Sequence, residues 1–183
     1  MKTLLVLVAT ALVPFTATFA VEAAKTKPGH TLSEWKLGKH LSGPAVTLEQ
    51  AKGKAVLIDY WGVNCPPCLA ALPELEKLAR RYKDKLVLIG AHSQTATDQE
   101  IAAVVKKNKL SYTITDGAPG PAEFDGLGLP HAAVFSPAGE MIYNGKPSEK
   151  DFEKAVRKAV QGSSPGGGAA KPSGLDALKR PGR

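Results

Sequence analysis

An α/β architecture, a central mixed sheet flanked by helices, follows from three features of this 183-residue chain. Ala55–Trp61 and Leu86–Ala91 are continuous apolar runs of strand length, as expected for strands covered on both faces. Between them Leu69, Leu72, Leu75, Leu78, Ala79 and Tyr82 recur at helical spacing. After residue 130, two short apolar runs joined by a turn containing glycine precede a last amphipathic helix. Strands that alternate with helices and then end in a hairpin and a helix imply one sheet with helices packed on it.

In chain order, the first segment reads as a secretory signal peptide over residues 1–20. Met1-Lys2 gives a charged start, Leu4 to Val13 is apolar, and Thr18-Phe19-Ala20 supplies small residues for cleavage after Ala20, with Ala23 as the alternative. An uncleaved anchor is the competing reading, but Pro14 leaves the apolar stretch short of the ~20 residues that a spanning helix needs. No cysteine stands at the cleavage site to carry a lipid. Residues 21–31 are polar and read as a linker, 32–161 as one folded domain, and 162–183 as a disordered basic tail rich in glycine, serine and proline. Of the formal charge of +7, Lys2 and residues 161–183 hold more than half. The small remainder on the domain gives no electrostatic case for a nucleic-acid partner.

Within the domain, Ala55–Trp61 is a central strand whose single carboxylate is Asp59. The helix after it contains Pro73, which is expected to kink it. Leu86 to Ala91 is a second buried strand. Thr97 and Glu100 have capping-box spacing ahead of a helix with Ile101, Val104 and Val105 on one face, closed by Lys106, Lys107 and Lys109. Ser111 to Thr115 is a short strand, and a loop rich in glycine and proline runs from Asp116 to Pro130. Ala132–Ser136 and Glu140–Tyr143, joined by Pro137-Ala138-Gly139, form an antiparallel hairpin. Ser148 opens the final helix, with Phe152, Ala155, Val156, Ala159 and Val160 on one face.

The chain has two cysteines, both in Cys65-Pro66-Pro67-Cys68, where the central strand gives way to a helix. Two cysteines are too few for a disulfide scaffold, and this spacing is too tight to staple distant segments. Two thiols at a helix N-terminus can instead close a small disulfide ring, with the first sulfur facing unpaired N–H groups and the positive end of the helix dipole. Attack by that thiolate on a foreign disulfide, then by the second cysteine on the mixed disulfide, completes a two-electron exchange.

Asp59-Tyr60-Trp61-Gly62-Val63-Asn64-Cys65-Pro66-Pro67-Cys68, Pro73 five residues further on, and Gly128-Leu129-Pro130 ahead of the hairpin occur in the order found in the thioredoxin superfamily. Residues 32–161 resemble most closely its exported TlpA/ResA-like branch of thiol-disulfide oxidoreductases. The resemblance implies a thioredoxin fold with an extra N-terminal hairpin over Trp35–Leu48. It also implies a redox-active Cys65–Cys68 disulfide, with Cys65 the attacking and Cys68 the resolving thiol. By the same resemblance Pro130 is a cis proline, and Leu129 before it offers backbone hydrogen bonds to an extended substrate segment. The implied substrates are protein thiols and disulfides, with a redox partner that recycles the dithiol. The implied location is periplasmic or otherwise extracytoplasmic, and no cofactor is required. One departure is Asn64, where the family usually has tryptophan, which makes the rim of the thiol more polar and open.

Asp59 matches the family's buried acid and is the expected proton acceptor for Cys68; burial should raise its pKa. Its alternative is a strand-end carboxylate reaching water. Trp61, Leu129 and His131 are the expected substrate-contacting residues, and His131 either tunes the thiolate or is an exposed histidine beside a groove. His92 stands at the strand edge where α/β sheets bind ligands, yet reads chiefly as a loop histidine without a role. His30 and His40 carry no signal. The alternative chemistry is copper(I) carriage by Cys65, Cys68 and His131; a closed zinc site lacks its further ligands. A redox-inert binding module of the same fold has little reason to keep both cysteines.

Overall fold

The computed structural model describes residues 29–164; the expected signal peptide, most of the linker and nearly all of the tail lie outside the described residues. A short 3-10 turn (Leu32–Glu34) leads into β1 (Lys39–Ser42) and β2 (Ala55–Trp61). Then come α1 (Pro66–Arg81), β3 (Leu86–His92), α2 (Asp98–Asn108) and β4 (Thr113–Asp116). A second 3-10 turn (Ala122–Phe124) precedes β5 (His131–Phe135), β6 (Met141–Gly145) and α3 (Lys150–Gln161). One six-stranded sheet has the order β1-β4-β3-β2-β5-β6. Its β2–β3 and β3–β4 pairs are parallel, and its β2–β5, β5–β6 and β1–β4 pairs antiparallel. This is the mixed sheet with flanking helices that the sequence predicts. No helix among the described residues is long and apolar enough to cross a membrane.

Alternation along β2 divides the core into two layers. Leu57 and Trp61 face a layer to which every helix contributes, with Leu72 and Leu75 of α1, Ile101 and Val105 of α2, and Phe152 and Val156 of α3. Val56 and Ile58 face the second layer with Ile89 and Phe135, and the segment from Leu32 to Ala51, which contains no α-helix, closes it. Trp35 anchors that closure, lying edge-on to Phe135 at 4.9 Å between ring centroids and donating from Nε1 to the Tyr60 hydroxyl at 2.8 Å. The Tyr60 hydroxyl in turn donates to the Ala118 carbonyl at 2.9 Å.

The Trp35–Leu48 segment differs from expectation. It supplies a single strand, β1, which pairs with β4 at the sheet edge instead of closing on itself as a hairpin. The local alternation is short, and the unpaired edge of β4 offers the segment a longer-range partner. At the start of β4, Ser111 stays outside the strand because its N–H and hydroxyl both donate to Glu76 of α1, at 2.8 and 2.7 Å. The folded unit also reaches slightly beyond its expected ends. Thr31 bridges Glu140, and the Ser163 hydroxyl accepts from Ala55 N–H at 2.9 Å. The Thr97–Glu100 capping box is present, α1 runs unbroken through Pro73, and α3 begins at Lys150 with Glu149 as its N-cap.

Glu76 is buried at the α1–β4 junction, where it also accepts from Arg80. Burial pushes its carboxyl up, but the Ser111 and Arg80 hydrogen bonds outweigh that and hold it below the usual carboxylate range. Glu76→Ala should destabilise the fold by about 1–3 kcal/mol by leaving the Ser111 N–H unsatisfied, measured by urea unfolding at neutral pH. Because the folded pKa is depressed, this contribution is present above the ordinary carboxylate pKa and lost as pH falls through the folded value. An alanine variant as stable as the wild type at neutral pH would remove Glu76 from this role.

Candidate active site

β2 ends at Trp61, and the chain turns through Gly62-Val63-Asn64 before Cys65 caps α1. Cys65 has extended backbone angles suited to an N-cap, and its Sγ accepts from the Cys68 N–H at 3.3 Å. Pro66 and Pro67 fill the first two helical positions and have no N–H, so Cys68 is the first residue of the helix able to donate to that sulfur. The two sulfurs are bonded at 2.05 Å, with the Cα atoms 5.2 Å apart. Both cysteines are buried, Cys65 the more open of the two at 6% exposed against 1% for Cys68.

Asp59 lies on the same face of β2 as Leu57 and Trp61, which pack in the layer containing Cys68. It is 2% exposed, and its strand neighbours, Gly90 on β3 and Ala132 on β5, are both small and offer it no polar group. Its Oδ1 has no hydrogen-bond partner within the protein. Its burial rules out a strand-end carboxylate reaching water and pushes the carboxyl up to about 7. A group with that pKa can take or give a proton near neutral pH.

The Leu129–Pro130 peptide is cis, as the resemblance implies. Leu129 packs against the layer that holds both cysteines. On its other side a groove of about 310 Å³ is lined by Tyr60, Ser93, Phe124, Leu127, Leu129 and His131. Leu127 is the one large hydrophobic residue exposed among the described residues. A larger cavity of about 520 Å³ lies among Arg80, Lys83, Leu86 and Ser111, on residues remote from the sulfur pair, and has no part in this site.

Four expectations change. Trp61 is fully buried and cannot touch substrate; it supports the site from beneath, edge-on to His92 at 5.1 Å between centroids. His131 is half-buried and turns its Nε2 to Asn144 Oδ1, with its ring tilted against Tyr60. The copper arrangement of Cys65, Cys68 and His131 is not assembled, and no cluster of three or more His, Cys, Asp or Glu suited to a metal occurs among the described residues. His92 is no loop histidine. It ends β3, is 1% exposed, and its Nε2 accepts from the Val63 N–H at 3.3 Å. Its position at the end of an apolar strand was visible in the sequence, but what it touches depends on β3 lying parallel to β2.

A family model described as Redoxin matches residues 27–159. Thioredoxin-like protein YneN of Bacillus subtilis is 26% identical over 144 residues, covering 76% of this chain and 84% of its own. Thiol-disulfide oxidoreductase ResA of Bacillus thuringiensis subsp. konkukian is 26% identical over 148 residues, covering 79% and 82%. The crystal structure of a thiol:disulfide interchange protein of the thioredoxin family from Chlorobium tepidum superposes with a TM-score of 0.62 at 19% identity, over 75% of this chain and 99% of that one.

The raised pKa of Asp59 has a stability consequence. Its folded pKa lies above the unfolded one, so the fold is favoured while the carboxyl is protonated and loses stability as pH rises from about 4 to about 7. The loss is on the order of 4 kcal/mol. Asp59→Asn should flatten this slope and be more stable than the wild type at pH ~8, as read from urea midpoints of the oxidised protein. Parallel profiles for the two proteins would show that Asp59 does not titrate in that window.

Proposed function

The chain belongs to the Redoxin family, and we propose that it is an exported thiol-disulfide oxidoreductase that exchanges electrons with protein disulfides through Cys65 and Cys68. The observation that carries this reading is the Cys65–Cys68 disulfide at the N-cap of α1, packed in the same layer as the residues flanking an unpartnered buried carboxyl.

In the reducing direction the Cys65 thiolate attacks one sulfur of a substrate disulfide, forming a mixed disulfide and releasing the other substrate sulfur as a thiolate. Asp59 accepts the proton of Cys68, whose thiolate then attacks the Cys65 sulfur. The Cys65–Cys68 bond forms, the mixed disulfide breaks, and the second substrate sulfur leaves and takes up a proton. Two electrons pass to the substrate, and the sulfurs carry them without a cofactor. In the oxidising direction the same steps run in reverse, and a recycling partner restores the starting form. Leu129, joined to Pro130 by a cis peptide, packs against the layer that holds the sulfur pair and presents its backbone to an extended substrate segment, with His131 further along the same groove.

Export is supported by the apolar leader and by a cysteine pair suited to an oxidising compartment. In this reading residues 1–20 are removed and the residues after them link the leader to a domain whose folded body reaches from Thr31 to Ser163.

Cys68→Ser should trap a mixed disulfide through Cys65, recovered from non-reducing gels and located by peptide mass, and Cys65→Ser should trap none. Trapping by Cys65→Ser alone would reverse the two roles. Asp59→Asn should slow resolution of the mixed disulfide by about a hundredfold, a usual size for the loss of a positioned acid–base group, and slow its formation much less.

A further inference from the structure

The turn ahead of Cys65 is held from outside itself. Cys65 N–H closes it onto the Gly62 carbonyl at 3.2 Å. Its two inner N–H groups are taken by side chains from the end of β3 and the residues beyond. Val63 N–H donates to His92 Nε2 at 3.3 Å, and Asn64 N–H donates to Gln94 Oε1 at 2.9 Å. Between those side chains, Ser93 N–H donates to the Trp61 carbonyl at 2.8 Å. The Gln94 side chain lies directly across Gly62, where a Cβ would sit 2.0 Å from Oε1 and 2.2 Å from Cδ. Only glycine leaves room for that contact. Three consecutive residues, 92–94, therefore grip the backbone from Trp61 to Asn64.

We propose that His92 and Gln94 are positioning residues for Cys65, holding the turn so that its sulfur stays over the Cys68 N–H and its thiolate stays stabilised. The proposal rests on the oxidoreductase reading. Its physical basis is the shortage of donors at this cap. Pro66 and Pro67 have no N–H, so a small displacement of Cys65 loses a large share of what the helix end offers the sulfur. On the helical side the proline rings fix the backbone. On the strand side the turn has one internal hydrogen bond, the Ser93 N–H holds the Trp61 carbonyl, and the two side-chain acceptors take the inner N–H groups.

His92 can accept from Val63 only while Nε2 is unprotonated. Burial lowers its pKa, and Asp116, its neighbour on β4, acts more weakly in the opposite sense. The other titratable groups on this face are Asp59 of β2, Tyr112 before β4, and Glu76 and the two cysteines on the α1 side. Gln94 does not titrate and is half-exposed, so it separates the positioning effect from any proton effect.

The test is the pH dependence of iodoacetamide alkylation at Cys65 in the reduced full-length chain, from pH ~5 to about 9, a range containing the free thiol pKa near ~8.5. Gln94→Ala and His92→Leu should each raise the midpoint by about 0.5–1 pH unit, the size of a helix-terminus interaction. His92→Gln restores a neutral acceptor near the place of Nε2 and should stay at the wild-type midpoint. A Gln94→Ala midpoint equal to the wild type overturns the proposal, and this variant decides even where His92→Leu does not fold. So does a His92→Gln midpoint displaced as far as that of His92→Leu. Insulin reduction by the wild-type dithiol is run in parallel. Its absence would sink the oxidoreductase reading, whereas normal reduction with unshifted midpoints would remove only the positioning role.

Discussion

The register of β2 against its two neighbours decides where every group around the sulfur pair lies. β2 is paired on both edges, in parallel with β3 and antiparallel with β5, and six of its seven residues are buried. Pairing Trp61 with His92 and Tyr60 with His131 brings the end of β3 and the start of β5 to the same edge of the sheet as the turn into α1. His92 reaches Val63 in the turn before Cys65, and Leu129 packs on the layer that holds Cys65, because these ladders are in step. A slip of one residue would exchange the faces of the strand. Asp59 would then lie in the layer closed by Trp35, away from the cysteines.

The same ladder sets the cost of the site. Asp59 sits between Gly90 and Ala132, which give it no polar partner, so holding it ionised in the fold is unfavourable. That cost is the origin of its usefulness. A carboxyl with a raised pKa spends comparable time with and without its proton near neutrality, whereas an exposed one would stay ionised and hold a thiol's proton poorly. Leu57 and Trp61 share its face of the strand and are fully buried with it, so Trp61 lies beneath the site and not on its rim.

Where the information is local, the sequence was legible. The apolar runs of β2 and β3, the helical spacing of α1, the Thr97–Glu100 box and the cysteine pair at a strand-to-helix junction each depend on neighbouring residues, and each lies where it was read. Asp59 was visible because a carboxylate inside an apolar strand has few explanations. The misread features depend on distant partners. β1 pairs with an edge created by β4, Ser111 is withdrawn from β4 by Glu76, and His92 and Gln94 gain meaning only once β3 lies beside the cysteine turn. Trp61 was misassigned for a related reason: periodicity gives the face of a strand but not how deeply the end of that strand is covered.

The two prolines between the cysteines tie these observations together. At an ordinary helix N-cap the second and third helical N–H groups can both reach the cap side chain. Here the second belongs to Pro67 and does not exist, and the third, Cys68 N–H, is the donor that meets Cys65 Sγ. Removing a donor weakens what the helix end offers the sulfur. The Pro-Pro step leaves the cap with a single helical donor to the sulfur. It also makes the geometry of the one remaining hydrogen bond matter more, which is where the grip of residues 92–94 on the preceding turn acquires its chemical consequence.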